Sequence, residues 1–124
     1  MNKSGNWILF ILAAVVVFVL LGLHMVVVHL DGIFGILSPA GGSALAWENV
    51  IQRSKSNFFT VTYIILLGAA LYHGFYGLRT IIFELGPRKA VERGWTIFLL
   101  AVGTVLFIVG TYAAIAVRTV ETAL

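Results

Sequence analysis

The stretch WILFILAAVVVFVLLGLHMVVVHL, Trp7 to Leu30, runs for 24 residues without a charge. A helix needs about 20 apolar residues to cross a bilayer core of roughly 30 Å, so this one stretch is already long enough. Two more follow: Phe58 to Leu78 is uncharged for 21 residues and Gly94 to Val117 for 24. None shows the strict polar/apolar alternation of a barrel strand. In lipid only helices and closed barrels satisfy their own backbone, so the three runs are helices. The composition agrees: 60% of the 124 residues are hydrophobic and 10% are charged, against roughly 25% charged in a soluble domain. Mean hydropathy is +1.04.

The reading is therefore an all-α integral membrane protein. It has transmembrane helices at about 6–30, 57–84 and 93–118, a short interfacial helix at about 43–54, and a single domain over residues 1–124. The first run is about twice as long as a signal-peptide core and lacks a small-x-small site after it, so it reads as a retained span. Asp31-Gly32 marks its end. The glycines and Ser38-Pro39 that follow are turn chemistry. In the segment Ser43 to Arg53, Trp47, Val50 and Ile51 share a helical face, away from Glu48, Gln52 and Arg53. That suits a helix lying in the interface with Trp47 as its anchor. Gly86-Pro87 stops the second span, and a basic loop, Arg88 to Arg93, leads to the third.

Several classes are excluded. The connections and tails, about 6, 27, 15 and 7 residues long, leave no room for a soluble catalytic domain, and the chain holds no nucleotide-binding loop. With no cysteine, thiolate clusters, disulfides and zinc–thiolate sites are impossible. A net charge of +3 gives no reason to expect nucleic acid; the basic residues are topology signals. Lys3, Arg79, Arg88, Lys89 and Arg93 fall on one side and Arg53, Lys55 and Arg118 on the other. Five against three predicts a cytoplasmic N-terminus.

Ionisable groups at membrane depth are costly and face a bundle interior or a ligand, which singles out His24, His29 and His73. His24 lies about 9 Å below the external end of its helix, and His73 about 15 Å from a cytoplasmic end near Phe83. They belong to opposite halves of the bilayer and are poorly placed to share one metal. Ala69, His73 and Gly77 line one face, with Ala70 and Gly74 beside them. Small residues around an inward histidine admit a flat macrocycle such as haem, whose iron takes an axial imidazole. They equally allow close helix packing, with His73 bonded across the interface. Spacing alone leaves both readings open. His24 sits among Leu20, Leu21, Val27 and Val28. His29 is about 140° around the helix from it and reads as interfacial, near Asp31. Arg79 could pair with a haem propionate or face a partner protein.

The run Ser38-Pro39…Ser56-Asn57-Phe58-Phe59…Tyr72-His73-Gly-Phe-Tyr-Gly77-Leu78-Arg79…Glu84 closely resembles the cytochrome b membrane-anchor subunits of succinate dehydrogenase. It covers roughly 48 of 124 residues. The family pattern is a Ser-Pro turn, a Ser-x-Phe-Phe helix start, and His-x-x-x-Gly-(Ile/Leu)-Arg followed by an acidic residue, here Glu84 where Asp is more usual. The family's N-terminal Ser-x-x-His-Arg-x-x-Gly segment, which helps build its quinone site, is missing, so quinone-binding residues cannot be carried over. The segment Leu23 to Gly32, with His24 and His29, and the segment Tyr72 to Gly77 look more like anchors that hold two haems.

The resemblance implies a non-catalytic, hydrophobic subunit of a succinate:quinone oxidoreductase or quinol:fumarate reductase. A second anchor would share one or two b haems, and a flavoprotein and an iron–sulfur protein would sit on the cytoplasmic face. Electrons would pass from succinate through iron–sulfur clusters to quinone. His73 would ligate the proximal haem iron and His24, or less readily His29, the distal one. Arg79 would serve a propionate or subunit docking, and the Arg88–Arg93 loop would help docking. Trp7 and Trp95 read as interface-belt anchors and could border a quinone. A haem-free anchor that only tethers and assembles the complex is the alternative. A small transporter subunit is disfavoured, because Asp, Glu, Lys and Arg stay at the span ends, outside the uncharged runs, and no broken-helix motif recurs. The N-terminus is not transit-like, which favours a bacterial or archaeal plasma membrane.

Overall fold

A computed structural model describes residues 3–34 and 45–120. Within them run α1 (Lys3–Phe34), α2 (Trp47–Lys55), α3 (Asn57–Glu84) and α4 (Lys89–Ala116), followed by a single 3-10 turn, Val117–Thr119. Three helices are long and apolar enough to cross a membrane, as the uncharged runs predict. The Ser38-Pro39 turn and residues 43–44 of the expected interfacial helix lie outside the described residues.

The helix ends differ from the sequence expectation. α1 continues through Asp31-Gly32 to Phe34; a glycine inside a helix costs only about 1 kcal/mol, less than the backbone bonds a break would strand. Residues 89–93 form the first turn of α4, not a basic loop. Arg88 stands before it in extended conformation, and Glu92 places a negative charge at the positive end of the helix dipole. The turn itself is held by Gly86, whose φ of 67° is the left-handed conformation that favours glycine after a helix. Its N–H donates to Phe83 O at 3.1 Å.

The three long helices form a layer with α3 in the middle. Tyr72 and His73 of α3 meet Asn6 and Phe10 of α1, while Tyr63 meets His24, so α1 and α3 run antiparallel. On the other flank Arg79 meets Thr96 and Gly68 meets Phe107, so α4 is antiparallel to α3 as well. Glycines set the closeness of this second contact. A Cβ at Gly103 would stand 2.9 Å from the Phe75 ring, one at Gly68 3.2 Å from Phe107, and one at Gly110 would strike Leu67. Small residues that let backbones approach are how helices associate where lipid removes the hydrophobic drive.

Burial is correspondingly slight. Among the described apolar side chains only Ala13, Ile51 and Leu99 are buried. Most of the rest, Phe18 at 81% exposure for example, present a hydrocarbon surface suited to lipid or to another membrane subunit.

The short helix α2 packs differently from its sequence pattern. Its buried residues are Asn49, Ile51 and Arg53, whereas Trp47 is exposed. So Trp47 and Ile51 do not share a covered face, and Arg53 turns inward. A single residue, Ser56, separates α2 from α3. That corner is fixed by Thr60, whose hydroxyl donates to Ser54 O or Ser56 O, each at 3.0 Å. Arg118, past α4, donates to Asn57 Oδ1 and ties the same end of the layer together.

Candidate functional site

His73 is half-buried at the α1–α3 contact. Its ring lies flat on Phe10, with centroids 4.3 Å apart and planes 8° from parallel. Its Nδ1 is 3.3 Å from Phe10 O. A carbonyl only accepts, so Nδ1 is the donor of this contact, and Nε2 is not engaged by it. The neighbouring Tyr72 donates to Asn6 O at 3.2 Å, and Tyr76 stands 5.3 Å from the Phe10 ring. The first two turns of α1 thus hold this part of α3 by two hydrogen bonds to backbone carbonyls.

The small residues around His73 divide into two sets. A Cβ at Gly77 would be 3.4 Å from Phe10, so α1 occupies that side. Ala70 and Gly74 are exposed, and a Cβ at Gly74 would meet nothing within 4 Å. The flank of α3 beside His73 is open.

Arg79 takes another direction. Six residues on, it lies about 120° around the helix from His73 and faces α4. Its Nε–H donates to Thr96 Oγ1 at 3.0 Å, and its guanidinium sits 4.1 Å above the Phe83 ring. It borders a cavity of about 500 Å³ between α3 and α4, capped by Asn6 of α1. Thr96 and Asn6, chain neighbours of Trp95 and Trp7, both line it; Trp7 and Trp95 themselves are exposed.

His24 belongs to the other end of the layer. Its ring meets Tyr63 edge-on at 5.8 Å, and its buried Nδ1 has no hydrogen-bond partner. It lines a cavity of about 390 Å³ with Arg53, Ser54 and Tyr63. Tyr63 and His73 are ten residues apart on α3, so the two histidine levels differ by about 15 Å along it. His29 is exposed. The structure therefore brings none of the three histidines together, and no cluster of three or more His, Asp or Glu able to hold an ion occurs among the described residues.

Sequence reasoning missed Phe10, Thr96 and the wall of the larger cavity. Phe10 carried no signal among its apolar neighbours. Gly103 and Gly110 did carry one: seven residues apart, they share a helix face.

Three apolar antiparallel helices with little buried core, each long enough to cross a bilayer, define a multi-pass membrane protein. The chain belongs to the succinate dehydrogenase/fumarate reductase transmembrane subunit family, whose family model matches residues 3–111. Neither a curated protein nor a solved structure matches it.

Proposed function

We propose that this chain is one of two hydrophobic anchors of a succinate:quinone oxidoreductase or quinol:fumarate reductase, and that His73 gives an axial nitrogen to a b haem shared with the second anchor. The observation that carries this is the hydrogen bond between His73 Nδ1 and Phe10 O at 3.3 Å. Metal-ligating histidines commonly donate their other N–H to a carbonyl or carboxylate, which fixes tautomer and ring orientation. Here that bond leaves Nε2 as the ligating atom. The open flank at Ala70 and Gly74 gives a flat macrocycle room against the backbone, so the residues present fit the group. When bound, haem would supply one-electron chemistry at a potential set by its axial ligands and burial. The chain's own part is to hold the imidazole, keep its proton on Nδ1 and exclude water.

A second haem would take His24, whose Nδ1 is buried without a partner, at the opposite depth; the exposed His29 is the weaker candidate. The flavoprotein and iron–sulfur subunits would stand on the cytoplasmic side, against the turn that bears Arg88, Lys89 and Arg93, with quinone as acceptor near Trp7 and Trp95. The membrane would be the plasma membrane and the N-terminus cytoplasmic. One observation favours the haem-free tether instead: Phe10 fills the space over Gly77 and stacks on His73, which is what a packing histidine would do.

A dithionite-reduced minus oxidised spectrum of the purified complex, with haem and covalent flavin quantified together, separates the readings. Two b haems per flavin are expected, and His73→Ala in an assembled complex should remove one. An active, intact complex without haem would overturn the ligand assignments and leave the tether.

A further inference from the structure

We propose that the groove between α3 and α4 binds one acyl chain of an anionic phospholipid, with the lipid phosphate held at Arg79. This site lies apart from the open flank beside His73. Tyr72 and Tyr76, which line the groove, are each two residues from Gly74 and so about 160° around α3 from it.

The dimensions suit an elongated apolar occupant one leaflet deep. From Arg79 to Gly68 on α3, and from Thr96 to Phe107 on α4, is eleven residues each, or about 16 Å. That is about half of the roughly 30 Å hydrocarbon core, the depth of one leaflet. The cavity of about 500 Å³ is spread along that length, so its occupant is elongated.

The chemistry is graded along the same axis. Asn6, Arg79 and Thr96 lie at one end, near the turn that joins α3 to α4, Tyr72 and Thr104 stand between, and Gly68 and Phe107 wall the other end. Arg79 is half-buried and braced by Thr96 and Phe83. Among the described residues no carboxylate pairs with it. A cation withdrawn from water needs an anion, and a guanidinium matches the oxygens of a phosphate. A neutral quinone ring would fill the groove but leave that charge unmet, which favours the lipid. The inference rests on the membrane fold and not on haem ligation.

The test uses the purified complex, delipidated in detergent and offered phosphatidylglycerol or phosphatidylcholine with identical acyl chains, with retained lipid counted by native mass spectrometry. The wild type should hold one lipid per chain in this groove and prefer the anionic one by about fivefold, the worth of one interfacial Arg. Arg79→Gln should bring the two lipids to parity, and Thr104→Phe, which fills the groove from α4, should remove that lipid whatever its headgroup. Equal retention of both lipids by the wild type would overturn the proposal. So would a Thr104→Phe complex that loses nothing, or one that releases a quinone instead of a lipid. If either variant fails to assemble, the wild-type preference alone decides. The haem spectrum, recorded on every sample, reports separately on His73 and His24.

Discussion

Phe10 holds His73 twice, by its ring 4.3 Å away and by its backbone carbonyl 3.3 Å from Nδ1. Only the first of these is a side-chain interaction, so the two can be separated. Phe10→Ala keeps the carbonyl that faces His73 Nδ1. Lipid is as apolar as the lost ring, so little beyond the aromatic pair itself is forfeited, roughly 0.5–1.5 kcal/mol. The expected outcome is a complex that retains haem but unfolds at lower denaturant, followed by its visible spectrum in a detergent titration. Loss of haem at unchanged stability would show that the ring, and not the carbonyl, sets the ligand.

Gly103 and Gly110 make an opposed pair of predictions. A Cβ at Gly103 would press on two atoms of the Phe75 ring, at 2.9 and 3.0 Å, and a ring edge moves only with its whole plane. At Gly110 the single close atom is Leu67 Cδ2, the far end of a side chain that can turn away. Replacing glycine by alanine inside a helix gains about 1 kcal/mol, whereas overpacking costs about 1–3 kcal/mol. Gly103→Ala should therefore be destabilising by up to about 2 kcal/mol, and Gly110→Ala close to neutral, although its nominal approach is the tighter. Unfolding of both variants in mixed micelles gives the order; the reverse order would mean that Leu67 is the rigid partner.

The three spans were legible because charge is nearly forbidden at membrane depth, so uncharged runs such as Trp7 to Leu30 mark them directly. Their ends were less so. Charged residues at 89–93 read as loop, yet a helix that has begun closing hydrogen bonds after Pro87 carries Lys89 and Arg93 in its first turns at small cost. The directions of side chains were the least legible. Phe10 lies in a run that is apolar all round, so periodicity cannot say which of its faces meets α3. Arg53 and Asn49 turn inward on α2 against the amphipathic pattern because α3 and the 3-10 turn pack on that helix. Of the candidate site, His73 was legible through its small neighbours, but the partner that fixes its proton was not.

The orientation can be tested without background, because the chain has no cysteine. Single cysteines at Ser4 and Ala90 fall on the side bearing five basic residues, and one at Gln52 on the side bearing three. With the N-terminus cytoplasmic, an impermeant maleimide should label Gln52→Cys in right-side-out vesicles. Ser4→Cys and Ala90→Cys should label only after permeabilisation. The opposite pattern would invert the topology and move the docking face of the soluble subunits to α2.

Histidines 24 and 29 separate the one-haem and two-haem readings. His24 has a buried nitrogen without a partner beside Tyr63 and Arg53, whereas His29 is exposed. If His24 is a ligand, His24→Ala should remove one of two haems and leave the haem at His73 with its own potential, since the levels are about 15 Å apart. Leu, Met or Ala would fill the position equally well if it only packs, and haem content would stay constant across all three. His29→Ala should change neither haem content nor spectrum. Redox titration of the remaining haem in His24→Ala then reads the coupling between the two levels: an unshifted midpoint means the sites act singly, and a shifted one means that charge at one level is felt at the other.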